Sequence, residues 1–228
     1  MLTVHHLEHS RSQRILWLLE ELGVDYDVRR YERDPETSLA PQALEAVHPL
    51  GKSPVITDGD VTVAESGAII EYLVEHYDKQ QLAPAPGSAA RREYTYWLHY
   101  AEGSFMPLMI VALILGRIET APLPFFIRPV AKGIAAKVRD SYLDRNVERH
   151  LGFLDASLEG RDWFCGDALT AADIQMSFPL EAAEQRTDLR NRCPNLAGFL
   201  ERSRARPAYR RALEKGGPFD LGSMRTGR

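Results

Sequence analysis

Three short stretches in the first seventy residues carry groups from which a binding and activating site could be built. Leu50-Gly51-Lys52-Ser53-Pro54-Val55-Ile56 sets a Gly-Lys turn ahead of a Ser-Pro bond. Proline brings no ladder donor, so it belongs at a strand start or a special turn. With that bond cis, the preceding backbone would turn its N–H and C=O outward, where an extended peptide pairs as an added strand. Glu65-Ser66 opens the apolar helical run Ala68-Ile69-Ile70. A helix N-terminus has orphan N–H groups and a partial positive charge, so it takes a carboxylate. Ser66 is the expected N-cap, and Glu65 would pair with an ammonium group. The blander alternative is a Ser66 that only caps and a Glu65 that is merely solvated. The third stretch, His9-Ser10-Arg11-Ser12-Gln13-Arg14, places hydroxyls where the sulfur of such a peptide would lie. A free thiol has a pKa of about 8.5 and must lose its proton to attack an electrophile. A hydroxyl hydrogen bond and a nearby helix N-terminus both favour the thiolate. The chemistry implied is activation of a nucleophile carried by the ligand.

The elements that must position these groups follow from periodicity. Residues 2–7 read as a strand, Ser12 to Leu22 as a helix stopped by Gly23, and Tyr26 to Tyr31 as a second strand. Pro41 to Val47 reads as a short helix. Pro54 to Thr57 and Val61 to Ala64 flank Asp58-Gly59-Asp60 as a hairpin, and Ser66 starts a helix through Val74. The order is βαβαββα, an α/β unit over residues 1–81. Leu82-Ala83-Pro84-Ala85-Pro86-Gly87-Ser88 is a proline-rich linker, and residues 89–228 read as all-helical. Within them Thr170-Ala171-Ala172-Asp173 has the pattern of a capping box, with Leu169 and Ile174 as a hydrophobic staple, so Asp173 is assigned to helix initiation.

Bulk properties narrow the classes. The 228 residues are 44% hydrophobic and 26% charged, as in ordinary globular proteins. Residues 1–78 carry 6 Lys/Arg against 15 Asp/Glu, a net of −9, and the remainder carries 22 against 17, or +5. An acidic first half argues against nucleic acid as a partner, and the asymmetry favours contact between the halves or between subunits. The apolar run Phe105–Leu115 falls short of the ~20 residues a membrane helix needs, so no membrane partner is expected. No basic-then-apolar leader is visible, which leads to the expectation of a cytoplasmic protein. Cys165 and Cys193 have neither metal-ligand spacing nor scaffold density. His5, His6 and His9 fall on different faces near a strand, so no metal is expected there. Phe105-Met106-Pro107-Leu108-Met109-Ile110 suits core packing, or the wall of a pocket for varied apolar guests.

Taken in order, Ser10 to Gly23, the Leu50–Val55 turn, Glu65-Ser66 and the Thr170–Asp173 box resemble the glutathione transferases over roughly residues 1–215. The resemblance implies an α/β thioredoxin-like N-terminal domain followed by an all-α helical-bundle C-terminal domain. It implies glutathione as co-substrate and Ser10 as the activating hydroxyl, with Ser12 the alternative in a neighbouring register. By the same resemblance Lys52 pairs with the glycyl carboxylate, Ser53 and Pro54 receive the cysteinyl backbone, and Glu65 and Ser66 hold the γ-glutamyl end. Many relatives offer a polar side chain for the glycyl end near Ser38-Leu39-Ala40-Pro41, so Lys52 would act alone or with Gln42. The implied activity is attack of the thiolate on a small electrophile, or reduction of an organic hydroperoxide, by a homodimer. Other expectations on this fold are a glutathione-dependent disulfide or thioether reductase and a non-enzymatic, protein-binding regulator. The absence of cysteine before Cys165 counts against an enzyme thiol in the site.

Overall fold

The computed structural model describes residues 1–79, 81–217 and 219. Its first part is a four-stranded sheet in the order β2-β1-β3-β4. β1 (Leu2–Leu7) is central, parallel to β2 (Asp27–Tyr31) and antiparallel to β3 (Val55–Asp58), which pairs with β4 (Val61–Ala64). Helix α1 (Ser12–Leu22) follows β1 and ends at Gly23, whose φ of 65° supplies the left-handed turn. The helix anticipated over Pro41–Val47 is reduced to one 3₁₀ turn, Gln42–Leu44. Leu44 is the one buried side chain of that turn, and a single anchor gives a longer helix no apolar face to pack.

Helix α2 (Ser66–Tyr77) begins one residue differently from expectation. Glu65 is the N-cap, at φ 72° and ψ 125°, and Ser66 is the first helical residue. Positive φ at a non-glycine residue is uncommon and costs on the order of 1–3 kcal/mol, so surrounding structure must impose it.

The second part is helical. Helices α3 (Ala89–Tyr100) and α4 (Met106–Thr120) are joined by a π-turn, Ala101–Phe105, into one 32-residue helix. The sequence run of 105–115 thus belongs to a longer element, whose most apolar 18-residue window has a mean hydropathy of 1.6. By length and composition that helix passes for a membrane span; here Phe105, Met106, Leu108, Met109 and Leu115 are buried in the fold. Helices α5 (Arg128–Val138) and α6 (Asp144–Ser157) are joined by a second π-turn, Arg139–Leu143. Helix α7 (Ala171–Arg186) is buried from Ala171 to Ala183 and packs against α1, α3 and α4. The capping box at its start is formed: the buried Asp173 carboxylate accepts from the Thr170 and Phe164 N–H groups, each at 2.8 Å. Burial raises the Asp173 pKa to about 6, against the pull of those donors. Short α8 (Leu189–Arg192), α9 (Pro194–Ala205) and α10 (Pro207–Gly216) complete the described residues.

Helix α10 lies back on α1. A Cβ at Gly216 would stand 2.6 Å from Gln13 Oε1 and 2.7 Å from Leu16 Cδ1, so only glycine permits this approach. The charge asymmetry of the sequence is spent partly here. Arg211 and Lys215 of α10 pair with Glu20 of α1, and Arg206 pairs with Glu21.

Candidate functional site

Two cavities meet at the end of the sheet where β1 turns into α1. The first, about 240 Å³, is bordered by Lys52, Ser53, Pro54, Glu65 and Ser66, together with Arg11 and Glu102. The second, about 300 Å³, lies between the sheet and the helical part, and Ser10 is on its wall with Leu7, Met106, Met109 and Leu113. Arg11, Lys52 and Ser53 border both, so the cavities are contiguous halves of one cleft.

The Ser53–Pro54 bond is cis. The β1–β3 pairing ends at His5 opposite Val55, which leaves the Ser53 backbone beyond the ladder. The Ser53 hydroxyl pins the turn to β1, donating to the His5 carbonyl at 2.8 Å and accepting from the Leu7 N–H at 3.2 Å. Glu65 and Lys52 are exposed at the rim, and Ser66 is buried at the N-terminus of α2. Gln42 does not border either cavity; Ser38, Leu39 and Ala40 border the second.

Ser10 and Ser12 differ in access. Ser10 faces the second cavity, whereas Ser12 is fully buried behind it. The two hydroxyls lie 2.8 Å apart, and the Ser12 N–H donates to Ser10 Oγ at 3.3 Å. Ser12 Oγ also lies 2.8 Å from His6 Nδ1. Burial is the main reason His6 titrates low, near 4, with the Arg30 charge adding, so the ring is neutral at physiological pH. The Gly216 backbone pulls the other way, but burial wins. Ser10 Oγ accepts from the Ser12 N–H and keeps its own O–H to donate, to Ser12 or to a sulfur anion in the cavity. That sulfur would also sit near the N-terminus of α1, an 11-residue helix with no acidic side chain in its first turn. The chain Ser10–Ser12–His6 is invisible in the sequence, where His6 reads as one of three scattered histidines. His5, its neighbour, is tied instead to Tyr31 Oη at 2.9 Å.

A second group escaped the sequence reading. Glu102, on the π-turn between α3 and α4, accepts two bonds from Arg11 Nε at 3.2 Å and pairs with Arg14, which is buried. Burial pushes the Glu102 carboxyl up, but Arg14 and Arg11 outweigh it and hold the group below the usual carboxylate range. Arg14 also donates to the Gln175 carbonyl of α7 at 2.8 Å. The π-turn is what aims Glu102 at α1, and π-bulges often mark functional positions. A hint was present in Arg14, a charged residue on the apolar side of α1.

Neither cysteine borders the cleft. Burial pushes the Cys165 thiol up to about 12 and raises Cys193 as well, so both are poor nucleophiles.

Comparison with known proteins agrees with this fold. Profiles for the glutathione S-transferase N-terminal and C-terminal domains match residues 1–75 and 118–207. The chain belongs to the glutathione S-transferase family. Glutathione S-transferase 3 of Schizosaccharomyces pombe is 35% identical over 94% of this chain and 88% of its own length. Glutathione S-transferase 1 of Saccharomyces cerevisiae is 31% identical over 94% of this chain and 95% of its own. A glutathione S-transferase structure from Actinobacillus pleuropneumoniae superposes with a TM-score of 0.77 at 34% identity, covering 98% of this chain and 96% of that one. A sphingomonad glutathione S-transferase solved in complex with glutathione superposes at 0.71 with 26% identity, covering 94% and 98%. The thioredoxin-like sheet and the helical C-terminal part are those of the family, and glutathione-dependent transfer is its activity.

Proposed function

We propose that this transferase binds glutathione along the first cavity and activates its thiol through Ser10. The placement of Ser10 on the wall of the second cavity, next to Arg11 that borders both, carries the reading. The Ser53 backbone pairs with the cysteinyl residue, with Pro54 fixing the turn. The γ-glutamyl carboxylate sits at the N-terminus of α2 over Ser66, its ammonium faces Glu65, and Lys52 takes the glycyl carboxylate. The cysteinyl sulfur then reaches Ser10, which donates to the thiolate. The thiol proton leaves to solvent, and the thiolate attacks an electrophilic carbon in the second cavity, or an organic hydroperoxide, in a detoxifying reaction. Ser12 is the hydroxyl that orients Ser10 rather than the one that touches sulfur. No metal takes part in this scheme.

The unit proposed is a homodimer, as the family resemblance implies, and its proposed location is the cytoplasm. The residual basic charge of the helical part and the acidic charge of the sheet part suit contact between copies. Sedimentation at micromolar protein tests the dimer, with a single species of about 26 kDa as the result against it.

Calorimetric titration with glutathione, followed by thiolate absorbance of the complex across pH, tests the reading of the site. Binding with a thiol pKa well below the free value of about 8.5 is the expected result. Binding with an unshifted pKa would point to a reductase or a carrier, and no binding at millimolar glutathione to a protein-binding relative.

A further inference from the structure

The second cavity is charged in one sense only. Arg11, Arg33, Lys52, Arg117 and Arg186 border it, and no aspartate or glutamate does. Four of the five have other engagements. Arg11 is held by Glu102. Lys52 stands on the wall shared with the glutathione half. Arg33 donates to the Glu8 and Ser38 carbonyls at 3.2 and 3.0 Å. Burial lowers its pKa, the Glu8 charge opposes, and the Arg117 charge adds to the lowering, so Arg33 and Arg117 repel across the cleft. Arg186 donates to the Ala182 carbonyl of its own helix at a geometry that leaves it beside Arg117 on the cavity wall. Arg117 itself is exposed on α4, and among the described residues no carboxylate pairs with it.

The remaining wall is apolar. Met106, Met109, Ile110, Leu113 and Phe178 face the same space. A cavity of this size and lining suits a compact small molecule. Its unbalanced arginines favour one that brings negative charge, because like cations gathered in a partly desolvated cleft repel until an anion joins them.

We propose that the second substrate of this transferase is an anionic electrophile: a small apolar or aromatic body bearing a carboxylate. The proposal rests on the transferase reading above. The body packs on Met106, Met109 and Leu113, and the carboxylate is taken by Arg117, with Arg33 adding positive charge to the wall. This also offsets the repulsion between the substrate's charge and the attacking thiolate. With an aryl halide, the thiolate sulfur forms the new C–S bond and halide leaves with the C–halogen electron pair. The thiol proton has already passed to solvent, so no further reactant is needed. The planar guanidinium of Arg117 suits a two-point grip on the carboxylate.

The test compares 4-chloro-3-nitrobenzoate with 4-chloro-3-nitrobenzamide, which share ring and leaving group but differ in charge. Each kcat/KM is divided by the rate constant of the uncatalysed reaction with glutathione. The benzoate is expected to be favoured by about tenfold or more, an advantage that shrinks as salt rises, as it does for charge steering. Arg117→Gln should abolish most of the preference, and Arg117→Lys should restore part of it. Calorimetric glutathione affinity of both variants reports that the fold is intact. Equal or better use of the amide overturns the proposal, as does a preference that survives Arg117→Gln. Turnover of neither compound also overturns it. If glutathione then binds with an unshifted thiol pKa, the transferase reading has failed with it; if the pKa is lowered, only the anionic assignment has failed.

Discussion

The two halves of the cleft are built from different materials. The glutathione half is made of element ends: a turn before β3, the N-terminus of α2 and the junction of β1 with α1. Some of its polar groups are pinned to backbone, as the Ser53 hydroxyl is to the His5 carbonyl, while Lys52 and Glu65 are exposed side chains at the rim. The half proposed for the electrophile adds helix side chains to the loops of the sheet part, with Met106, Met109, Ile110, Leu113 and Arg117 coming from one helix. A site made of backbone ends can change only if the fold changes. A site made of side chains on one helix can be rewritten residue by residue. Helix positions on α4 are therefore where substrate choice can vary with least effect on the sheet part.

Substitutions in one cavity should leave the other working. The largest effect is expected at Ser10. Ser10→Ala should lower kcat/KM by about 10²- to 10³-fold with every electrophile, as losing one donor to a developing anion does, while glutathione still binds. Survival of activity in Ser10→Ala together with its loss in Ser12→Ala would move the contact to the neighbouring register. Next comes the buried chain behind it. His6 titrates near 4 when folded and near 6.5 when free. The folded protein thus resists its protonation: stability is full above about pH 6.5 and falls as pH drops toward 4, by about 3 kcal/mol from this group. His6→Asn keeps an acceptor for Ser12 and should flatten that acid limb in denaturant titrations; an unchanged limb would mean His6 is not the group responsible.

Smaller effects follow at the rim and on α10. Glu65→Ala should weaken glutathione by roughly tenfold, about 1.4 kcal/mol, through loss of the partner for an ammonium group; an unchanged dissociation constant removes Glu65 from the site. Gly216→Ala should cost about 1–2 kcal/mol in unfolding free energy, because its Cβ would overpack Gln13 and Leu16. Leu113→Ala is the mildest and the most diagnostic. It should change the electrophile KM several-fold at unchanged glutathione affinity, and a parallel loss of both would show that the two halves are not separable.

Legibility in the sequence followed the same division. The strand at 2–7, the helix at 12–22, the hairpin around Gly59 and the capping box at Thr170 were readable, because each is set by local periodicity or turn chemistry. The turn at 42–44 was overread, since proline opens a helix on paper whether or not a face exists to pack it. Ser66 was placed one position early because Glu65 takes the cap with a backbone angle that composition does not announce. Lys52, Ser53, Pro54, Glu65 and Ser66, singled out from short, ordered motifs, do border one cavity. It did not show Glu102 facing Arg11 and Arg14, because a π-turn shifts side-chain direction without changing residue types. Nor did it show Arg33 and Arg117 converging: they are far apart in the chain, and only the packing of α4 on the sheet brings them together.

The grip of Glu102 on Arg11 and Arg14 has a thermodynamic meaning. With Arg14 anchored to the α7 backbone and α10 clasping Glu20, the buried apolar cluster runs unbroken from Leu2 to Ala212. The sheet part and the helical part therefore share one interior, although lineage and topology count two domains. Heating should reveal one cooperative calorimetric transition, and a fragment ending near Ser88 would leave α1 with a naked apolar flank. Partial melting, the usual route by which a two-domain enzyme frees a sticky half, is closed to this chain.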